Sequence, residues 1–140
     1  MSIATASSGM TTKQTPSRLT NTLPRATIAA GFLAAAVTVA GAGTLRAAGV
    51  PLSVHGEIPL AGFAQFTFIG AVLGGILLAV LIRRSSSPQR RFIEISVGLT
   101  ALSSVVPAVI AETNASKIAL VTLHLVAAAI IIPLLARRAI

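Results

Sequence analysis

The chain has no cysteine, so disulfides, thiolate metal ligands and thiol nucleophiles are excluded by composition. Charge is almost as scarce. Only 10% of residues are charged and three are acidic, Glu57, Glu94 and Glu112, set far apart along the chain. Nothing pairs a nucleophile with a base at workable spacing, and there is no metal-ligand set and no phosphate-cradling glycine loop. The residues therefore predict no enzyme, no cofactor and no metal.

What the chain does have is apolar sequence. It is 54% hydrophobic over 140 residues with a mean hydropathy of +0.90, outside the range of soluble domains. Four apolar stretches run over residues 26–45, 60–82, 92–111 and 118–136. About 20 residues of helix cross the hydrocarbon of a bilayer, and there every backbone amide must bond within its own segment. The prediction is an all-α membrane protein, a four-transmembrane-helix bundle over residues 26–138. Residues 1–25 are rich in Ser and Thr and lack periodicity, which predicts a disordered cytoplasmic tail.

The net charge of +8 does not indicate nucleic acid, because the cations sit in short clusters beside apolar runs. Lys13, Arg18 and Arg25 precede the first run, Arg83, Arg84, Arg90 and Arg91 join the second to the third, and Arg137 and Arg138 follow the fourth. The opposite side holds only Arg46 and Lys117. By the positive-inside rule both ends face the cytoplasm. A basic segment ahead of an apolar core, with Ala40, Gly41 and Ala42 behind it, also fits a signal peptide, but the even span count accommodates every cation cluster.

Helices associate in lipid through small residues and polar side chains. In the second run Thr67, Gly70, Ala71 and Gly74 share one side and predict a packing seam, within the chain in preference to a homodimer. In the third run Ser96, Thr100, Ser103 and Pro107 form a hydroxyl-bearing arc facing the bundle, with Ile95, Leu102, Val105, Val106 and Val109 toward lipid. Glu94 follows Arg90 by one helical turn and is expected to pair at the interface.

Glu112, Lys117 and His124 form a candidate polar cluster at the outer end. His124 lies about two turns inside the fourth run, on the face of Lys117, where an ionisable group needs a partner or a purpose. A proton relay or anion site competes with a neutral histidine bonded to the hydroxyls of the third run, and the latter is preferred. Between the first two runs, the alternation from Val50 to Pro59 with Gly56 at its turn predicts a short hairpin. His55 and Glu57 within it are too few for a metal site. Asn114-Ala115-Ser116 matches a glycosylation sequon, but Thr113 or Asn114 is better read as a helix cap.

The segment from Lys117 to Leu120, continuing through Leu123-His124-Leu125 to Ile132-Pro133, resembles a family of small actinobacterial four-helix membrane proteins, domain of unknown function 6069. The Thr113 to Lys117 step and the Val-rich outer loop share the resemblance, which extends from Arg25 to Arg138. It implies an inner-membrane location in a high-GC bacterium and no established activity. The expected role is structural or accessory in the cell envelope, with the bilayer and a membrane protein or second copy as partners. The alternative is a small oligomeric transporter or channel. Small multidrug exporters have a similar helix count but depend on a carboxylate in the first helix, and residues 26–45 contain none.

Overall fold

The computed structural model describes residues 16–54 and 56–139. They form four helices, α1 Pro16–Ala47, α2 Leu60–Arg84, α3 Pro88–Ile110 and α4 Asn114–Ala136. All four are long and apolar enough to cross a membrane. At about 1.5 Å per residue even the shortest exceeds the roughly 30 Å hydrocarbon layer.

The helices overrun the apolar stretches because hydropathy marks the hydrocarbon, whereas a helix continues through the interface until a cap or a proline ends it. Thus α1 begins at Pro16, well before residue 26, and passes through Pro24, which contributes no backbone donor. Residues 1–15 of the expected tail lie outside the described residues. Pro88 stands in the first turn of α3, where its missing N–H costs nothing. Thr113 caps α4 by accepting from Ser116 N at 3.1 Å, so that helix starts at Asn114, ahead of the apolar run at 118.

The second helix packs against all three others, as does the fourth except that its closest neighbours are α1 and α3; α1 and α3 do not touch. Two cores result. One gathers Ala30, Ala34, Ala71, Leu78, Phe92, Ile131, Leu135 and Ala136 near the arginine-rich end, and Phe92 is its largest fully buried side chain. The other gathers Ala42, Leu52, Phe63, Ala111, Ala119, Leu120 and Leu123 at the opposite end.

Small side chains bring α1 and α2 together in reciprocal steps of four. A Cβ at Gly75 would lie 2.6 Å from Thr27 Cγ2, and one at Gly31 would lie 3.2 Å from Ala71 Cβ and 2.9 Å from Phe68 Cδ2. The tilted rings of Phe32 and Phe68, centroids 5.2 Å apart, flank this contact. The buried hydroxyls of Thr27 and Thr38 donate back to Leu23 O at 2.9 Å and Ala34 O at 2.7 Å, so their burial leaves no donor unmet.

This corrects the expected seam on α2. Ala71 is buried as expected, but Gly70 is exposed and a Cβ there would meet nothing within 4 Å. Gly74 does lie at a contact, with α4, where a Cβ would stand 3.3 Å from Leu135 Cδ1. Thr67 is half-buried. The buried residues of α2 are Phe63, Ala71, Gly75 and Leu78, so the seam is rotated around the helix away from Gly70. The counterpart on α1, Thr27, Gly31, Ala34, Thr38 and Ala42, was not anticipated, although its recurrence at intervals of three and four was the available signal.

The 48–59 connection folds over the second core. Ser53 and Glu57 form an isolated antiparallel bridge around Gly56, whose φ of 126° suits glycine. Val54 N donates to Gly56 O at 3.0 Å and Ile58 N to Leu52 O at 3.1 Å, a minimal version of the expected hairpin. Leu52 plugs the core beneath it. Two polar contacts fasten the loop: Ser116 Oγ donates to Pro51 O, and the Arg46 guanidinium donates to Ile58 O.

Candidate functional site

α3 is held mainly through its polar arc. Phe92 is its one buried residue, while Ile95, Leu102, Val105, Val106 and Val109 are exposed as expected for a lipid-facing side. Ser96 and Thr100 are half-buried. Thr100 O accepts from Ser103 Oγ at 3.1 Å and from Ser104 Oγ at 2.7 Å. The Ser103 hydroxyl also lies 2.7 Å from His124 Nε2 on α4.

That contact joins two spans through their side chains, and it explains how an imidazole is accommodated at this depth. A neutral ring presents a donor at one nitrogen and an acceptor at the other, and the serine hydroxyl meets Nε2 without a charge in hydrocarbon. With Ser103 Oγ donating to Thr100 O, the ring Nε2–H donates to Ser103 Oγ, a chain of two bonds ending on a helix carbonyl.

The remaining members of the candidate cluster do not join it. Glu112 is exposed and Lys117 half-buried, and neither forms an ion pair among the described residues. Lys117 contributes only its backbone N–H, 2.9 Å from Thr113 O. The helix direction explains this: the side chain of a residue near the start of α4 leans back toward the interface, away from His124 two turns deeper. Of the four residues Glu112, Lys117, His124 and Ser103, the fold couples only the last two.

Next to this pair, Val97, Thr100, Ala101, Leu125, Ala128 and Ile132 line an open groove of about 360 Å³ between α3 and α4. Its walls are almost wholly apolar. Such a lining offers a polar solute little to bind. No group of three His, Asp or Glu side chains able to hold a metal occurs among the described residues, and His55 lies outside them.

At the other end Arg90 Nε donates to Glu94 Oε1 at 2.8 Å, the ion pair expected from their spacing. Side-chain exposures of 83% and 58% make it a weak, solvated contact that orients side chains more than it stabilises the fold.

Four apolar spans, cores built from small residues and hydroxyls tied within or between helices define a multi-pass helical membrane protein. Within that class, the chain belongs to a family of unknown function, DUF6069, whose model matches residues 18–140. No curated protein and no solved structure matches it.

Proposed function

We propose that this protein is a non-enzymatic, structural or accessory component of a cell membrane, with its arginine-rich end in the cytoplasm. The observation that carries the proposal is the Ser103–His124 contact at 2.7 Å, which commits the deepest ionisable group to joining α3 and α4. A proton carrier has to exchange its partner during a cycle, whereas this imidazole is tied into a chain ending on Thr100 O. The hydroxyls of Thr27, Thr38 and Ser104 are likewise spent on carbonyls of their own helices. The broad exposed side of α3 remains for lipid or for another membrane helix.

The test combines stability and flux on His124→Gln and His124→Leu. Gln keeps a donor and an acceptor, so its stability in detergent should stay near that of the parent, while Leu removes the bond to Ser103 and loses about 0.5–1.5 kcal/mol. Neither protein nor parent should drive a pH-dependent flux in liposomes. A parent flux abolished in a stable His124→Gln protein would replace this reading with the transporter.

A further inference from the structure

We infer that the arginine-rich end of the bundle is a binding surface for acidic phospholipid headgroups. The inference begins with convergence. Leu23, Leu81 and Ile82, Phe92, Leu135 and Ala136 pack in one cluster, and these residues stand beside Arg25, the Arg83–Arg84 pair, the Arg90–Arg91 pair and the Arg137–Arg138 pair respectively. One end each of α2, α3 and α4 therefore meets α1 near Leu23 around the buried Phe92, and each of the four helices brings one or more guanidinium groups to the rim. Because α1 to α4 alternate in direction, these are the same end of the bundle.

Counter-charge is nearly absent there. Glu94 is the one carboxylate at this end among the described residues, and Arg90 occupies it. Arg25, Arg83, Arg84, Arg91, Arg137 and Arg138 are all exposed and form no ion pair among the described residues. The opposite end contrasts with this. Arg46 and Lys117 are balanced there by Glu57 and Glu112, and the Arg46 guanidinium is turned back onto Ile58 O.

Orientation alone needs an excess of positive charge and is indifferent to its chemistry. At this rim every described cation is arginine, whose planar fork donates two parallel bonds to a phosphate and is more weakly hydrated than an ammonium. The apolar spans fix the rim at headgroup depth, where phosphodiesters are the neighbouring anions. A lipid with a net negative headgroup gains the attraction of the collar, and a zwitterionic one largely cancels it. Acidic lipid is favoured over an acidic protein segment because the exposed arginines come from all four helices, at the ends of apolar spans where lipid headgroups are the adjoining anions.

The experiment uses the purified full chain in detergent, where both ends are accessible whatever the orientation in a cell. Equimolar phosphatidylglycerol and phosphatidylcholine with matched acyl chains are added, and retained lipid is measured by native mass spectrometry. Phosphatidylglycerol should be retained preferentially. Each guanidinium should contribute about a fivefold factor, so Arg83→Gln with Arg84→Gln, or Arg137→Gln with Arg138→Gln, should lower the preference roughly 25-fold. Lys117→Gln at the opposite end should leave it unchanged.

Equal retention of the two lipids, or an equal loss with Lys117→Gln, would overturn the inference. Displacement of the lipid by inorganic phosphate or by polyglutamate beyond that caused by sodium chloride of equal ionic strength would also overturn it, pointing to a free anion or an acidic protein instead. Helicity is followed by circular dichroism. If a Gln pair unfolds, the salt dependence of the unsubstituted chain decides: the preference should fall steeply with ionic strength, and one that persists at high salt refutes the collar.

Discussion

Adding a methyl group at Gly75 should force α1 and α2 apart. The new Cβ would lie 2.6 Å from Thr27 Cγ2 and 3.1 Å from Thr27 Cβ, with Thr27 Oγ1 nearer still. Carbon atoms in contact prefer about 3.5–4.0 Å, so the helices must separate by roughly 1 Å or Thr27 must leave its rotamer. Thr27 is buried and its hydroxyl is bonded to Leu23 O, which leaves it little freedom to turn. Overpacking of this kind costs about 1–3 kcal/mol, and in lipid no hydrophobic force between helices offsets it. Gly75→Ala should therefore lower stability in a detergent unfolding titration by that amount. Gly70→Ala meets open space and should change it by less than about 0.5 kcal/mol. Removing Oγ1 and Cγ2 with Thr27→Ala should restore much of the loss, giving a coupling energy of about 1 kcal/mol in the double-mutant cycle. Equal stability of Gly75→Ala and Gly70→Ala would refute the seam.

Three further outcomes are expected from the same titration and from hydrogen exchange. Thr113→Ala removes the cap of α4 and should cost about 0.5–2 kcal/mol. Ser116→Ala breaks the bond to Pro51 O and should speed exchange of the Val54 and Ile58 amides, which sit in the loop it fastens, and unchanged exchange would mean that Leu52 and Arg46 hold the loop without it. Leu52→Ala opens a cavity in the core beneath the 48–59 connection and should cost about 2–5 kcal/mol, whereas Leu102→Ala on the exposed side of α3 should be much milder, and equal losses would mean the lipid-facing side is misassigned.

Hydropathy made the four spans legible because a segment in hydrocarbon has no alternative to satisfying its own backbone. Helix ends were harder to read. Pro16, Pro88 and Asn114 begin helices in polar sequence, where capping and proline geometry decide and hydropathy carries no signal. The polar arc of α3 was readable from its spacing, since Ser96, Thr100 and Ser103 lie on the side away from exposed Leu102 and Val109. The seam of α2 was not. Gly70 and Gly74 lie about 40° apart around the helix and Gly75 about 100° beyond Gly74, so each glycine offers a different side for close approach, and only the position of Thr27 on another helix selects Gly75. Likewise Glu112, Lys117 and His124 are close in sequence, yet side-chain direction turns His124 to Ser103, a residue 21 positions earlier.

The absence of cysteine permits the most direct test of the membrane account. Single cysteines placed at Ser53, Ser87 and Ala115 can be probed in intact cells with a thiol reagent that does not cross the membrane. Ser53→Cys and Ala115→Cys should label from outside, and Ser87→Cys, in the link between α2 and α3, should label only after the membrane is permeabilised. Labelling of Ser87→Cys from outside together with protection of Ser53→Cys and Ala115→Cys would invert the bundle and put the arginine-rich end outside. Labelling of Ser53→Cys and Ser87→Cys from the same side would mean that α2 does not cross, and the four-span account would fail.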